Sequence, residues 1–222
     1  MTTHLQNHSE MDNAKIPIPK IKRGFDILFS FMALIILSPI FILILFAIFM
    51  EHIALGNILS SLFYVETRIS QGEPFRLLKF NIFKPSAIKE LEQEKKIYHS
   101  KDLERQKDSL TITGKILKQT YIDELPQLLN ILKGDMSFVG PRPIHIKVYA
   151  RRLEQGDYSK SIVKAGITGN FQSLKGITTK TDRELDWEYI NFCKNNPGRK
   201  IMLYDIKIIL RTVRIMIKAQ GI

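Results

Sequence analysis

From Phe31 to Met50 the chain carries no charged side chain, "FMALIILSPIFILILFAIFM". A run of this length can cross a hydrocarbon core of about 30 Å, where every backbone polar group must be satisfied internally. The bland alternative is a buried core helix, but few core helices are this apolar on every face. A cleavable signal peptide fits less well, because the basic lead-in comes late and the apolar run is too long. Ser38-Pro39 sits mid-run. Proline removes a backbone donor and clashes with the preceding turn, so a bend is expected there. Gly24 to Ser38 and Pro39 to His52 then become two arms of about 20 Å each, short of the bilayer core. Lys15, Lys20, Lys22 and Arg23 precede them and place the N-terminal side in the cytoplasm. A helix spanning straight through would carry everything after His52 to the far side. A hairpin that dips in and returns keeps both ends cytoplasmic, and this re-entrant hairpin is the preferred expectation, with the spanning helix as the alternative.

The remaining chain suits one domain plus this attachment: a polar tail over residues 1–19, the re-entrant membrane helix over 20–52 and a cytosolic domain over 53–222. Lys and Arg number 33 against 22 Asp and Glu, a net charge of +11 that points to an anionic partner. The basic residues are scattered, with no aromatic-interleaved strip and no zinc-finger spacing, so nucleic acid is not the expected partner. The single cysteine, Cys193, excludes an internal disulfide and reads as a small buried apolar residue. Two β-rich runs around "SQGEP" predict a hairpin between 53 and 83. Residues 84–108 read as a charged, solvent-facing helix. Helix is expected over 114–132 with a break near 123–126, over 144–156, in "RELDWEYINFCK" and at the C-terminus, and "AGITGNFQSLKGITTK" reads as a glycine-punctuated loop. The C-terminal helix fits a core position or a membrane interface equally.

The chemistry concentrates in "YIDELPQLLNILKGDMSFVGPRP", Tyr121 to Pro143. Pro126 is tolerated in a first helical turn, which sets Asp123 and Glu124 at a helix N-terminus, where free N–H groups favour anions. On local sequence Asp123 is a helix cap. In the functional reading it stays ionised, a divalent cation bridges it to a phosphate, and the carboxylate attacks phosphorus. Arg142, between two prolines, could fork onto a phosphate or simply occupy a surface turn. Gly166 and Gly169 could let backbone amides approach phosphate.

These residues resemble the bacterial sugar transferase family, the monotopic polyprenyl-phosphate phosphoglycosyl transferases, from about Lys22 to Gly221. "DELPQLLNILKGDMSFVGPRP" carries most of the likeness, joined by "KRGFD", the Ser-Pro, "GEPFRLLKF", "AGITG" with "FQ", and "LDWEYI" with "LYDIKIILRT". The resemblance implies a mostly helical α+β protein: a re-entrant membrane helix hairpin, a small β-hairpin and a compact cytoplasmic catalytic domain with amphipathic interfacial helices. It implies transfer of a phospho-sugar from a UDP-sugar to undecaprenyl phosphate, with Mg2+, on the cytoplasmic face of the bacterial inner membrane, releasing UMP. Asp123 would be the nucleophile, Glu124 would assist metal or proton handling, and both would hold the metal. Lys79, Lys118, Arg142, Arg68 and Gln172 fall on expected substrate-binding positions. Membrane lipids are further partners, and self-association is left open. The chain departs from the family pattern at Asn81 and Lys118, where arginine is usual, at Ala165, where proline is usual, and at Lys175-Gly176 in place of Gly-Arg. Two other readings follow: a non-catalytic member that binds lipid phosphate or nucleotide-sugar, and a membrane-tethered nucleic-acid-binding protein.

Overall fold

The computed structural model describes residues 15–93, 103, 106 and 108–217. The polar tail over residues 1–14, and the charged helix beyond position 93 apart from residues 103, 106 and 108, lie outside these. Among the described residues the chain is mostly helical with a small sheet, as the patterning predicts. The helix α1 spans Lys20–Ala54, the strands β1 and β2 span Phe63–Ser70 and Glu73–Phe80, and α2 spans Pro85–Gln93. Next come α3 (Ile112–Gln119), a 3₁₀ turn (Ile122–Glu124), α4 (Gln127–Lys133), β3 (Ser137–Val139), β4 (Ile144–His145) and α5 (Ile146–Glu154). The chain closes with α6 (Ser159–Ile162), β5 (Gly166–Thr168), α7 (Asn170–Ser173), α8 (Asp182–Asn195) and α9 (Gly198–Ile217).

The expected break at Ser38-Pro39 does not divide the first helix into two elements. All 35 residues of α1 form one helix with Pro39 inside it. Pro39 lacks the N–H that would reach the Ile35 carbonyl four residues back, and the Ser38 hydroxyl donates to that carbonyl instead, at 2.8 Å. Leu28, Ile36, Ile42, Leu43 and Phe46 are 63% to 69% exposed, which no core helix of a soluble protein tolerates. By length and composition this helix can cross a membrane.

The chain gathers into two compact units: Met1–Phe31, Thr67–Phe75 and Asn130–Ile222 form one, Met32–Glu66 and Arg76–Leu129 the other. In the first, the start of α1 is held by polar anchors, among them Lys22 and Arg23, which are expected from sequence only as flanking charge. Lys22 is buried in an ion pair with Asp205 of α9 and donates to the Val139 carbonyl at 3.2 Å. The Tyr189 hydroxyl reaches Asp205 Oδ1 at 2.9 Å and the Val139 carbonyl at 3.1 Å. Asp26 Oδ1 accepts from the Phe138 N–H at 3.2 Å, and the Arg23 guanidinium donates to the Ile131 and Leu132 carbonyls at 2.6 and 2.7 Å, closing the C-terminal end of α4. Phe29 meets Phe138 edge-on with ring centres 5.2 Å apart. Residues 15–19 lie against the same unit, with the Ile16 N–H donating to the Ile162 carbonyl at 2.8 Å.

The stretch read as a glycine-punctuated loop holds β5 and α7, and β5 pairs in parallel with β3, Ser137 opposite Gly166 and Val139 opposite Thr168. In α9 the spacing of Ile201, Asp205, Ile208 and Ile215 forms a buried stripe, while Leu203, Lys207, Leu210 and Arg214 are exposed. One face of the helix therefore lies in the core, as the first of the two expectations has it, and an apolar-basic face lies outside it. Cys193 of α8 is buried, and desolvation pushes its thiol up to about 11. We expect no reaction with a disulfide reagent at pH 7.5 in the folded protein and one equivalent after denaturation, read from the released chromophore.

The second unit is built on an apolar cluster. Ile44 and Ile48 of α1 pack with Phe80, Ile82, Phe83, Leu103 and Leu117, and the Phe41 ring lies tilted against Phe80 with ring centres 4.7 Å apart. Phe80 is fully buried, worth about 2–3 kcal/mol relative to exposure. Glu51 fixes the next element: its Oε1 accepts from the Ile112 N–H at 2.6 Å and its Oε2 from the Thr113 N–H at 3.1 Å. Thr111 caps the same end, accepting from the Gly114 N–H at 2.9 Å. A carboxylate on the first N–H groups of α3 satisfies donors the helix cannot use itself.

Candidate active site

Period-two alternation places neighbouring residues of a strand on opposite faces, so burying Phe80 at the end of β2 turns Lys79 the other way. The acid pair is set by similar logic. Tyr121 adopts the left-handed conformation, φ 58°, and reverses the chain between α3 and the 3₁₀ turn. Ile122 and Leu125, at either end of that turn, pack against the apolar cluster. Asp123 and Glu124 lie between them and meet Lys79.

The Lys79 ammonium stands 2.9 Å from Glu124 Oε1 and 3.5 Å from Asp123 Oδ2. All three side chains are nearly buried, at 12%, 12% and 6% exposure, so this pairing is far less screened than a surface ion pair. Two adjacent carboxylates on a core-seated turn form a fixed acidic site that accepts a cation. They suit magnesium in one particular way. Magnesium is commonly held by one or two carboxylates and completed by substrate phosphates and water, and the pair supplies only the protein's share. Among the described residues no group of three or more acidic, histidine or cysteine side chains could hold a metal alone.

The expectation that the acid pair opens an α-helix is corrected. It forms a 3₁₀ turn of its own, separated by Leu125 and Pro126 from α4, which starts at Gln127. Pro126 cannot donate, so it is accommodated in the link where no helical N–H is required. Lys118 lies in the last turn of α3 and shares the unit of the acid pair.

Arg68, Arg142 and Gln172 belong to the other unit. Arg68 is buried in β1 opposite His145 of β4. Arg142 is half-buried between the buried Pro141 and Pro143. Gln172 ends up on α7, and both atoms of its amide are buried with no hydrogen-bond partner among the described residues.

Two departures from the family pattern now have physical reasons. Asn81 is a buried residue with structural partners. It is 2% exposed, its Nδ2 donates to the Ser61 carbonyl at 2.8 Å, and its Oδ1 accepts from the Phe83 N–H at 3.1 Å. An arginine there would bury an unaccommodated charge. Asn81→Ala orphans both partners, and we expect a loss of about 2 kcal/mol in thermal or urea denaturation, with Asn81→Arg more damaging still. Ala165 uses a donor that proline lacks: its N–H donates to Ser70 Oγ at 3.0 Å while its carbonyl accepts from the Ser137 N–H at 2.9 Å. Lys175 and Gly176 are exposed, and Gly176 has φ +75°, a conformation that suits glycine.

Comparison with known proteins gives this arrangement its context. The chain is 36% identical over 215 residues to the exopolysaccharide production protein ExoY of Rhizobium meliloti, covering 90% of this chain and 87% of the relative. It is 31% identical over 209 residues to the undecaprenyl-phosphate galactose phosphotransferase of Salmonella typhimurium, covering 90% of this chain and 41% of that protein. It is 31% identical over 205 residues to the UDP-glucose:undecaprenyl-phosphate glucose-1-phosphate transferase of Escherichia coli, covering 87% and 39%. The chain thus spans about two-fifths of the length of the last two. The bacterial sugar transferase family matches residues 18–219, a range that takes in the apolar helix, Lys79, the acid pair and the glycine segment, and the chain belongs to that family.

Proposed function

We propose that this protein transfers a phospho-sugar from a UDP-sugar to undecaprenyl phosphate, releasing UMP, as the first membrane step in building a surface glycan. The observation that carries the reading is the nearly buried acid pair, Asp123 and Glu124, held on a core-seated turn with Lys79 between its oxygens. The relatives' names, which specify undecaprenyl-phosphate sugar phosphotransferases, support the substrate classes.

In this reading an Asp123 oxygen attacks the β-phosphorus of the donor. The Pα–O–Pβ anhydride bond breaks, UMP leaves with the bridging oxygen, and a sugar phosphate remains on the carboxylate. An oxygen of the lipid phosphate then attacks the same phosphorus, breaking the acyl phosphate and restoring Asp123. Glu124 holds the acid pair's second carboxylate at the reacting phosphate, and Arg142, Lys118, Arg68 and Gln172 are assigned to the phosphates and nucleotide. Asp123 and Glu124 would hold magnesium, which would neutralise charge on the diphosphate.

The acceptor exists only at a membrane surface, which gives α1 its purpose. We read it as re-entrant, with both ends cytoplasmic at the inner membrane. Its start is anchored by Lys22, Arg23 and Asp26 to residues of one unit, and Ile44 and Ile48 near its end pack on residues of the other. The basic Lys15, Lys20, Lys22 and Arg23 favour a cytoplasmic start, and a soluble nucleotide-sugar is found on that side, which supports the re-entrant reading. The test is UMP release by purified full-length protein with magnesium, undecaprenyl phosphate and a panel of UDP-sugars. Release with one donor, coupled to a lipid-linked sugar, is expected. A folded, membrane-bound protein silent across the panel would remove the reading.

A further inference from the structure

We infer that the root of α1 binds a buried water molecule, held by Asp26, Ser30 and Ser137 where the helix packs on β3. The inference stands independently of the transferase reading.

Lys22, Asp26 and Ser30 recur every four residues and so form a polar stripe along one side of α1, just before its charge-free run begins. All three are buried, Asp26 and Ser30 completely, and they share one unit with Ser137, Tyr189 and Asp205. Lys22 is settled by its ion pair with Asp205 and its bond to the Val139 carbonyl. Asp26 is only half settled. Its Oδ1 accepts from the Phe138 N–H at 3.2 Å, while its Oδ2 is buried with no hydrogen-bond partner among the described residues. The same holds for Ser30 Oγ, one turn further along the stripe, and for Ser137 Oγ, on the residue whose peptide bond supplies that N–H. Ser137 too is completely buried. Ser38 and Thr212 return their hydroxyls to a carbonyl three or four residues back in their own helices, an outlet that Ser30 does not take. Asp205 registers how near Asp26 stands: burial pushes its carboxyl up, Lys22 pulls it down, and the Asp26 charge adds to the rise.

Leaving a carboxylate oxygen and two hydroxyls unmatched at one buried contact is costly, and native interiors fill such places with ordered water. The number and kind of the groups fit one molecule, since an internal water makes about three hydrogen bonds. It would give one proton to Asp26 Oδ2, give the other to one serine oxygen, and accept from the second hydroxyl. A metal ion fits less well. Hard cations take about six oxygens or more, and Lys22 already brings a positive charge to the same stripe. Bound there, the water ties α1 to β3 as far as Ser30, one residue before the helix leaves this unit.

The sign of two serine substitutions tests this. A hydroxyl that is simply unmatched is better removed, so without the water Ser30→Ala and Ser137→Ala leave the melting temperature unchanged or raise it. Alanine's stronger helix propensity adds to that rise at position 30. With the water, each substitution takes away one of its partners, and a fall of about 3–5 °C is expected in each. One molecule serving both hydroxyls makes the losses non-additive, so Ser30→Ala/Ser137→Ala is expected to fall about as far as either single variant. The measurement is scanning calorimetry of full-length protein in phosphatidylethanolamine–phosphatidylglycerol nanodiscs. A high-resolution crystal structure of the same proteins is expected to show a water about 2.7–3.0 Å from Asp26 Oδ2 and both hydroxyls in wild type, and none in the double variant. Unchanged or raised melting in both single variants overturns the inference, as do additive losses. So does a wild-type structure in which the serines bond Asp26 directly or no density stands between them. An anomalous peak at the site after a thallium(I) soak would mark a monovalent cation instead and overturn the water. Should the variants fail to fold, the wild-type density decides alone.

Discussion

Asp123→Asn is expected to lower turnover about 10⁴-fold or more, as loss of a nucleophile does when nothing else can take its place. The substitution is nearly isosteric, so volume and packing on the turn persist, and Ile122 and Leu125 still seat it on the apolar cluster. Lys79 keeps Glu124 as a partner at 2.9 Å, so the nearly buried ammonium is not orphaned. Stability should therefore change by about 1 kcal/mol or less while chemistry is lost. Two measurements check this together: UMP release under saturating donor, and transfer of radiolabel from a sugar-labelled donor to the protein in the absence of lipid acceptor. Wild type is expected to carry label and Asp123→Asn none. A variant that retains activity within tenfold of wild type would falsify the nucleophile assignment. Asp123 would then have only a structural role, in line with the cap reading of its local sequence.

How far the sequence carried the fold depends on which interactions are local. The apolar run, the β-hairpin around Gln71-Gly72 and the presence of a helix break near the acid pair were legible because period, turn chemistry and breakers lie within a few residues of one another. The acid pair and Lys79 were legible through the family likeness, but their meeting was not. Residues 79 and 123 are joined by strand alternation at Phe80 and by the packing of Ile122 and Leu125, which no short window reports. Lys22 and Arg23 differ from expectation for the same reason. As a flank they look like topology charges, yet their partners Asp205, Ile131 and Leu132 lie more than a hundred residues away. The i, i+4 spacing of Lys22 and Asp26 was the available signal, placing both on one helix face. Pro39 was read correctly as chemistry and incompletely as structure, because the neighbouring Ser38 hydroxyl repairs the carbonyl that proline strands.

Gly166→Ala is expected to destabilise the protein by about 4 kcal/mol or more, among the largest effects a single methyl can have. A Cβ there would lie 2.1 Å from the Gly140 nitrogen, 2.4 Å from the Thr168 oxygen and 2.7 Å from the Val139 carbonyl carbon. Each of these is backbone, so no side chain can swing aside. The obstruction is reciprocal: a Cβ on Gly140 would meet the Lys164 oxygen at 2.2 Å, and one on Gly169 the Gly140 oxygen at 2.3 Å. Gly140-Pro141 and the Gly166–Gly169 segment are thus packed backbone to backbone, with the Gly140 N–H donating to the Thr168 carbonyl and the Gly166 N–H to the Pro141 carbonyl, each at 3.0 Å. This pairing holds the turn that carries Arg142, so the glycines have a packing role within their own unit. That differs from the sequence reading, in which they expose amides to phosphate. The two roles separate experimentally. A glycine needed only for phosphate approach predicts a Gly166→Ala protein of normal melting temperature and poor donor binding. The packing role predicts a fall of about 10 °C, since 1 kcal/mol shifts a domain of this size by about 2–4 °C. Gly156→Ala is the control: its φ of +71° is strained for alanine but nothing lies within 4 Å, so about 1 kcal/mol is expected from conformation alone. Differential scanning calorimetry of the three proteins in the same nanodiscs decides between the roles, because only backbone overlap makes Gly166→Ala several-fold worse than Gly156→Ala.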